Sequence, residues 1–303
     1  MSSTPPLRIA IGVITRRRPR ELERLLGSLA ALRVPEGVRV EVVVVENDDA
    51  PGSGARLDAG AIAVRHAFEP VAGIPQARNR VLDLAADQSD RIVFVDDDET
   101  VEPDLLERLL ATERATGADA VAGPALPAFP PDAPAWVARS RAYEPVRHAT
   151  GARIPHAFTN NAMFRSELVR DGSLRFDESM RFTGGSDRDF FARLAGRGHA
   201  IAWADDAVTH EWYPRERLTR RWLFRRSMRL GTVAMRTEGL RGVRGRATVL
   251  WRALRFAARG LVRLARHPGD PAVGTALASW DFGRTVGLLR AAAGWRYDEY
   301  KTR

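Results

Sequence analysis

Residues 92–99 read Ile-Val-Phe-Val-Asp-Asp-Asp-Glu, four apolar residues of strand type running straight into four acids. The apolar half suits a buried strand, and in open α/β sheets ligands bind where such strands end. Carboxylates crowded at one strand end repel each other. A divalent cation makes the crowding tolerable, and Mg²⁺ or Mn²⁺ suits a site built from oxygen ligands alone. A cation held by one or two carboxylates completes its shell with phosphate oxygens, so the run implies a metal–diphosphate site. The same residues also fit a solvated acidic loop leading into a helix, with Asp98 or Glu99 as N-cap. The motif alone leaves both readings open.

Further along, Gly184-Gly-Ser-Asp-Arg-Asp189 sets two aspartates at a helix start behind two glycines, which permit close backbone approach to a ligand. One aspartate would serve as an N-cap, and the pair exceeds that need. His210 follows a strand; a lone histidine is structural unless a metal lies near. Thr15 with Arg16, Arg17 and Arg18 could grip a nucleotide phosphate or form a solvated turn, and Arg78 and Asn79 carry the same ambiguity.

These residues need a frame to bring them together. Leu7–Ile14, Val38–Val45, Ala61–His66 and Arg91–Val95 read as strands, and Pro19–Leu32 as a helix with Leu22, Leu25, Leu26 and Leu29 on one face. A loop and then a helix are expected over Gly73–Asp87, and a helix over Pro103–Thr116. Strands are expected near Ala120–Gly123, at 158–165 and over Ile201–Val208, with a helix over Phe190–Arg197. Alternating strands and helices imply a mainly parallel, doubly wound sheet. The second strand ends in Glu46-Asn-Asp-Asp49 and the fourth in the acid run, so both tips can line one crevice.

The chain has 303 residues, 45% of them hydrophobic, enough for one large domain or a domain with a helical appendage. It has no cysteine, which excludes disulfides and thiolate metal sites and fits a reducing compartment. Met1–Pro6 shows no apolar signal region, and no apolar run approaches the roughly 20 residues of a membrane span. A cytoplasmic protein, free or peripheral at the inner face of the plasma membrane, is expected. Net charge is +9, from 47 basic and 38 acidic residues. Acids concentrate before about residue 210 and arginines between Arg215 and Arg266, which points to a polyanionic partner.

Taken together, the motifs resemble those of inverting family 2 glycosyltransferases with the GT-A fold, most closely the branch of bacterial succinoglycan-type exopolysaccharide transferases. The matching pieces occur in family order over about residues 7–231. They are Thr15-Arg-Arg-Arg-Pro19, the strand ending Glu46-Asn-Asp, Gly73-Ile-Pro-Gln-Ala-Arg-Asn79, Phe94-Val-Asp-Asp-Asp-Glu99, Thr183-Gly-Gly-Ser-Asp-Arg-Asp-Phe-Phe191 and the Arg220-Arg-Trp222 region. The resemblance implies a Rossmann-like sheet flanked by helices over residues 1–214, with a nucleotide-binding half (1–99) and an acceptor half (100–214). A helical, arginine-rich region follows over 215–303.

It also implies roles. Glu46 stands where the family has an aspartate on the donor base, and Arg78 matches a nucleotide-contacting arginine. Asp96 and Asp98 match the Asp-x-Asp pair, Asp96 near the ribose and Asp98 on the metal, with Asp97 between them and Thr15 and Arg16 counted among the donor-binding residues. Asp187 matches the catalytic base, although Ser186 replaces the glutamate that usually precedes it. His210 resembles a third metal-side ligand. The implied activity is metal-dependent transfer, with Mg²⁺ or Mn²⁺, of a sugar from a nucleotide-diphosphate sugar to a hydroxyl on a glycan or lipid-linked acceptor. The setting would be bacterial polysaccharide or glycoconjugate biosynthesis. Two rivals use the same acids: a nucleotidyl- or phosphotransferase, and a GT-A-like scaffold that binds a sugar nucleotide without turnover. A nucleotidyltransferase is disfavoured because Thr-Arg-Arg-Arg-Pro replaces a glycine-rich phosphate loop after the first strand. The presence of Asp96, Asp98 and Asp187 speaks against an inert scaffold.

In the basic tail, Arg252, Arg255, Arg259, Arg263 and Arg266 share one helical face, and Leu250, Leu254, Ala257, Leu261 and Leu264 the opposite one. Such a helix over 246–266 can lie on an anionic membrane surface, or pack on the body with its arginines in water. Phe256 beside the basic stripe fits the first. Nucleic acid is not expected, since stacking aromatics are not interleaved with the arginines.

Overall fold

In this computed structural model, residues 5–48, 54–181, 184–233 and 242–295 are described. Thr183 of the glycine motif, Asp49, and residues 51–53 of the Gly/Pro loop lie outside them, as does the 234–241 stretch of the basic region. The alternation expected from the pattern is present. It begins with β1 (Leu7–Thr15), α1 (Pro19–Leu29), β2 (Val38–Glu46), β3 (Ala63–Phe68), α2 (Ile74–Ala85) and β4 (Arg91–Asp96). It continues through β5 (Glu99–Val101), α3 (Leu105–Thr116), β6 (Ala120–Ala122), β7 (Ala125–Ala128), α4 (Ala135–Ser140), β8 (Asn161–Arg165), α5 (Glu167–Arg170) and α6 (Ser186–Gly196). Two short strands, β9 (Ile201–Trp203) and β10 (Thr209–Trp212), precede the helices α7 (Arg220–Thr232), α8 (Gly242–Arg266) and α9 (Pro271–Ala292).

Seven strands form the main sheet in the order β3-β2-β1-β4-β8-β6-β9. It is parallel except where β8 runs against β4 and β6. Both faces are buried, as continuous apolar strands require. On one face Ile11, Val13, Val93 and Val95 pack with the leucines of α1 and α3. On the other, Ile92 and Phe94 pack with α2 and the Phe190–Phe191 pair of α6.

Two expectations change. A single strand over Ile201–Val208 is instead β9 and β10 separated by a turn. Asp205 there accepts from Trp203 Nε1 at 3.0 Å and from Arg147 at 2.8 Å, local bonds that compete with strand pairing. After the acid run, Glu99 opens β5, which pairs antiparallel with β10. The next helix starts at Leu105 behind Asp104, so neither Asp98 nor Glu99 caps it.

The chain divides into two compact units. The first comprises residues 1–126, 145–182 and 186–212 and contains the main sheet. The second comprises 127–144, 183–185 and 213–303, and is helical. Its core is aromatic: Tyr143 stacks on Trp222 at 5.7 Å and meets Tyr213 edge-on at 5.0 Å. Trp136 joins that cluster beneath Arg220, so its ring is occupied by packing. Helices α7 and α9 meet almost backbone to backbone. A Cβ on Gly287 would lie 2.0 Å from the Met228 carbonyl oxygen, and one on Gly283 2.2 Å from that of Phe224.

Candidate active site

Strand pleating divides the acids at the tip of β4. Ile92 and Phe94 face α2 and α6, and Val93 and Val95 face α1. Continuing that alternation, Asp96 turns to Arg78 of α2, Nη2 to Oδ1 3.9 Å. Asp97 turns to the end of β1, where Thr15 Oγ1 donates to its Oδ2 at 2.7 Å and Arg18 Nη1 to its Oδ1 at 2.9 Å. The same guanidinium reaches Asp98 Oδ2 at 3.3 Å.

The three arginines of the basic turn therefore take different places. Arg18, fixed by the Pro19 that starts α1, meets the acids. Arg17, in left-handed backbone at φ 55°, clamps Asp48 through Nε at 2.6 Å and Nη2 at 3.0 Å. Arg16, the member expected on the donor, has an exposed side chain.

Negative charge exceeds its local compensation here. Glu99 is fully buried; its Oε2 accepts from the Asp96 amide at 3.4 Å, while Oε1 has no hydrogen-bond partner. Burial pushes Glu99 well above the usual carboxylate range, with Asp96, Glu211 and Asp98 adding to the rise. Asp96 is sunk deep among protein atoms, although 39% of its side-chain surface remains open. Desolvation raises it to about 7 against the pull of Arg78, aided by Asp98, Asp97 and Glu211. Asp97 is raised to about 6, again mainly by burial and by Asp98, with Arg18 and Thr15 opposing.

Such a surplus fits a dication. Among the described residues no three His, Cys, Asp or Glu side chains converge as a ready-made shell.

Arg78 ties the acids to α6. Its side chain is buried, its Nη1 donates to Ser186 Oγ at 3.2 Å, and its guanidinium lies 5.6 Å from the Phe176 ring centroid. Gly184 and Gly185, both left-handed at φ 73° and 85°, precede that helix in the chain. Asp187 occupies its first turn, half-buried, with Oδ1 accepting from the Arg188 amide at 2.7 Å. Asp189 instead pairs with Arg193 at 2.8 Å, one turn along. Asn79 is structural: it bonds Phe176 through both backbone groups and Glu178 through Nδ2.

At the tip of β2, Glu46 is buried and its Oε1 lies 3.0 Å from His66 Nε2 on β3. Next to it Asn47 pins the following loop, donating to the Glu69 and Val71 carbonyls at 2.9 Å and accepting from the Gly73 amide at 2.7 Å. His210 pairs through Nε2 with Glu102 at 2.8 Å. Its successor Glu211, opposite Glu99 in the β5–β10 register, is the β10 side chain that acts electrostatically on the acid tip. Asn161 is buried and spends its Nδ2 on the Pro124 and Ala207 carbonyls.

Sequence reasoning missed His66 and Glu211, whose places depend on strand register. It named Arg18 and Glu99 only as members of the basic turn and of the acid run, without their partners.

A family model for glycosyl transferase family 2 matches residues 10–173. The succinoglycan biosynthesis protein ExoM of Rhizobium meliloti (strain 1021) is 37% identical over 244 residues, 78% of each chain. Among solved structures, S. aureus TarS superposes with a TM-score of 0.54 at 14% identity, covering 92% of this chain. This chain spans 55% of that longer one. Its fragment TarS 1–349 gives 0.51 at 18% identity, over 95% of this chain and 92% of the fragment. These likenesses show the GT-A fold. With more than half its length matched by the family and a relative 37% identical, the chain belongs to glycosyl transferase family 2.

Proposed function

We propose that this glycosyltransferase moves a sugar, with inversion, from a nucleotide-diphosphate sugar to a hydroxyl of a glycan or lipid-linked acceptor in bacterial polysaccharide biosynthesis. The observation that carries the reading is the linked set at the β4 tip. Asp96, Asp97 and Asp98 converge with Thr15 and Arg18 from β1 and α1, and Arg78 connects them to the helix bearing Asp187. The resemblance to a succinoglycan biosynthesis protein supports the polysaccharide setting.

In this reading Glu46, oriented by His66, receives the donor base, and Asp96 the ribose, with Arg78 keeping Asp96 in place. Thr15 and Arg18 hold Asp97 and Asp98 so that their carboxylates face the diphosphate. A divalent cation, which Asp98 would hold, would supply Lewis-acid neutralisation of the departing diphosphate's charge. His210, paired with Glu102 and on the opposite face of β10 from Glu211, is not part of that set. Asp187 takes the proton of the acceptor hydroxyl as its oxygen bonds to the anomeric carbon and the bond from that carbon to the diphosphate oxygen breaks. Direct attack needs no carboxylate nucleophile, so inversion follows.

No described helix is long and apolar enough to cross a membrane. A peripheral position at the inner face of the plasma membrane, reached through the basic tail, would bring a lipid-linked acceptor to the site. The decisive test is a donor screen reading nucleotide-diphosphate release with and without Mn²⁺. Release from at least one donor in Mn²⁺, lost in chelator, is expected; no release from any donor in the presence of varied acceptors would refute the assignment.

A further inference from the structure

Helix α8 is mounted against the usual rule for amphipathic helices. The side packed on α9 is made of small residues, with Gly245, Val249, Ala253 and Gly260 buried; the Gly260 position sits against the Phe282 ring. Its arginine side is tied inward. Arg259 donates to Asp281 Oδ1 at 2.9 Å and Arg263 lies 3.1 Å from Oδ2 of the same fully buried carboxylate. Arg252, Arg259 and Arg284 border a cavity of about 520 Å³ floored by Phe256 and Leu288. Phe256 therefore faces the cavity rather than an outer surface.

What remains outward is a row of apolar side chains. Leu250, Leu254, Leu261 and Leu264 are exposed, Leu254 by 71% and Leu261 by 62%. At 100° per residue they fall within a narrow stripe, with Val243 in line at its start. Trp251, 56% exposed, borders the stripe under Arg255, whose guanidinium lies 4.6 Å from the ring centroid. Contiguous apolar exposure of this kind marks a surface with a partner.

We propose that this leucine stripe is a membrane-docking face that enters the interface of an anionic bilayer. Trp251 sits at headgroup level, and Arg244 and Arg246, in the first turns of the helix, contact lipid phosphates. Charge selects this occupant. The helix carries seven arginines and no acid, so a second copy laid on the stripe would bring like charges together, whereas anionic headgroups neutralise them. The proposal rests on the peripheral reading above and narrows it to one face.

The test uses full-length protein in flotation with vesicles of phosphatidylcholine alone or mixed with phosphatidylglycerol. The double variant Leu254→Ser/Leu261→Ser, altered at exposed positions, should melt as the wild type does. It should bind mixed vesicles roughly a hundredfold more weakly, about tenfold for each leucine. Arg244→Gln/Arg246→Gln should lose about fivefold per arginine on mixed vesicles only. Transfer to a soluble acceptor should be unchanged in both. Wild-type binding undiminished in the leucine variant overturns the stripe but leaves the peripheral reading standing. No vesicle binding by the wild type overturns both. A concentration-dependent dimer that the leucine variant abolishes would make a second copy the occupant and refute the lipid assignment.

Discussion

Two buried charge clusters in this protein have opposite imbalances. At Asp281 one carboxylate, wholly buried, is shared by Arg259 and Arg263: Oδ1 accepts from Arg259, and Arg263 Nη1 lies 3.1 Å from Oδ2, which accepts no hydrogen bond among the described residues. Positive charge is in excess, and Arg263 is lowered from its ordinary value, by burial first and also by Arg259. At the β4 tip Asp96, Asp97, Asp98, Glu99 and Glu211 act on one another, with Arg18 and Arg78 as the cations drawn into the set. Acids outnumber these two cations, and among the described residues Glu99 Oε1 accepts no hydrogen bond. The first arrangement is closed and fixes the orientation of a helix. The second is open to one more positive charge. The imbalance at Asp281 serves the packing of two helices, and the one at the β4 tip is where the proposed dication would bind.

The sharpest way to break this comparison is to remove the acid assigned to the ligand. Asp98→Ala should reduce metal-dependent transfer to background while the melting temperature holds, because the side chain serves the cation rather than the core. Near-normal turnover in Mn²⁺ would remove Asp98 from the metal site. Next in size is Asp187→Asn, nearly isosteric but unable to take a proton. Donor affinity by calorimetry should stay unchanged while turnover falls by about 10²–10⁴. Lost affinity with normal turnover of bound donor would move Asp187 to the donor site.

Asp281→Ala probes the closed cluster. Deleting the carboxylate leaves Arg259, half exposed, and Arg263, partly buried, without their shared counter-charge and should cost about 1.5–3 kcal/mol. Denaturant unfolding should show that loss, with donor affinity retained. A change under about 1 kcal/mol would mean that the α8–α9 pairing does not depend on the carboxylate.

How much of this contrast could be read in the chain differs between the two clusters. The acid tip was visible because apolar strand and acids are contiguous at 92–99, so a single strand end locates them. Its partners were not. Glu211 meets Glu99 only through the β5–β10 register, and His66 reaches Glu46 only through the β2–β3 register. Of three consecutive arginines, backbone geometry before Pro19 assigns Arg18 to the acids, and periodicity carries no trace of that. In the tail the two helical faces were legible, but which one would be buried was not. The packing face is mostly glycine and alanine, which hydrophobic pattern undervalues, with Val249 among them, and Asp281 lies on the next helix from the arginines it holds.

The finest test of the comparison is pH. For the acids at the β4 tip the folded-state values are raised, Asp96 to about 7 and Asp97 to about 6 from 3.8. Between about pH 4 and 7 the unfolded chain has released protons that the folded one retains. Stability contributed by these groups is therefore full below about pH 4 and is lost as pH rises through 6 and 7. Asp90, Asp171, Asp205 and Asp270 shift the other way, and their effect is confined to the acid side, where stability falls as pH drops below about 4. Without metal, the melting temperature should fall by a few degrees from pH 5 to 7.5. Millimolar Mn²⁺ should recover that loss at pH 7.5, where the acids are ionised, and do little at pH 5, where they hold protons. In Asp98→Ala the recovery should vanish while part of the pH slope remains, since Asp96, Asp97 and Glu99 are still desolvated by burial. A melting temperature flat across this window, or equal stabilisation by Mn²⁺ at both pH values, would show that the acids at the β4 tip are already balanced within the protein.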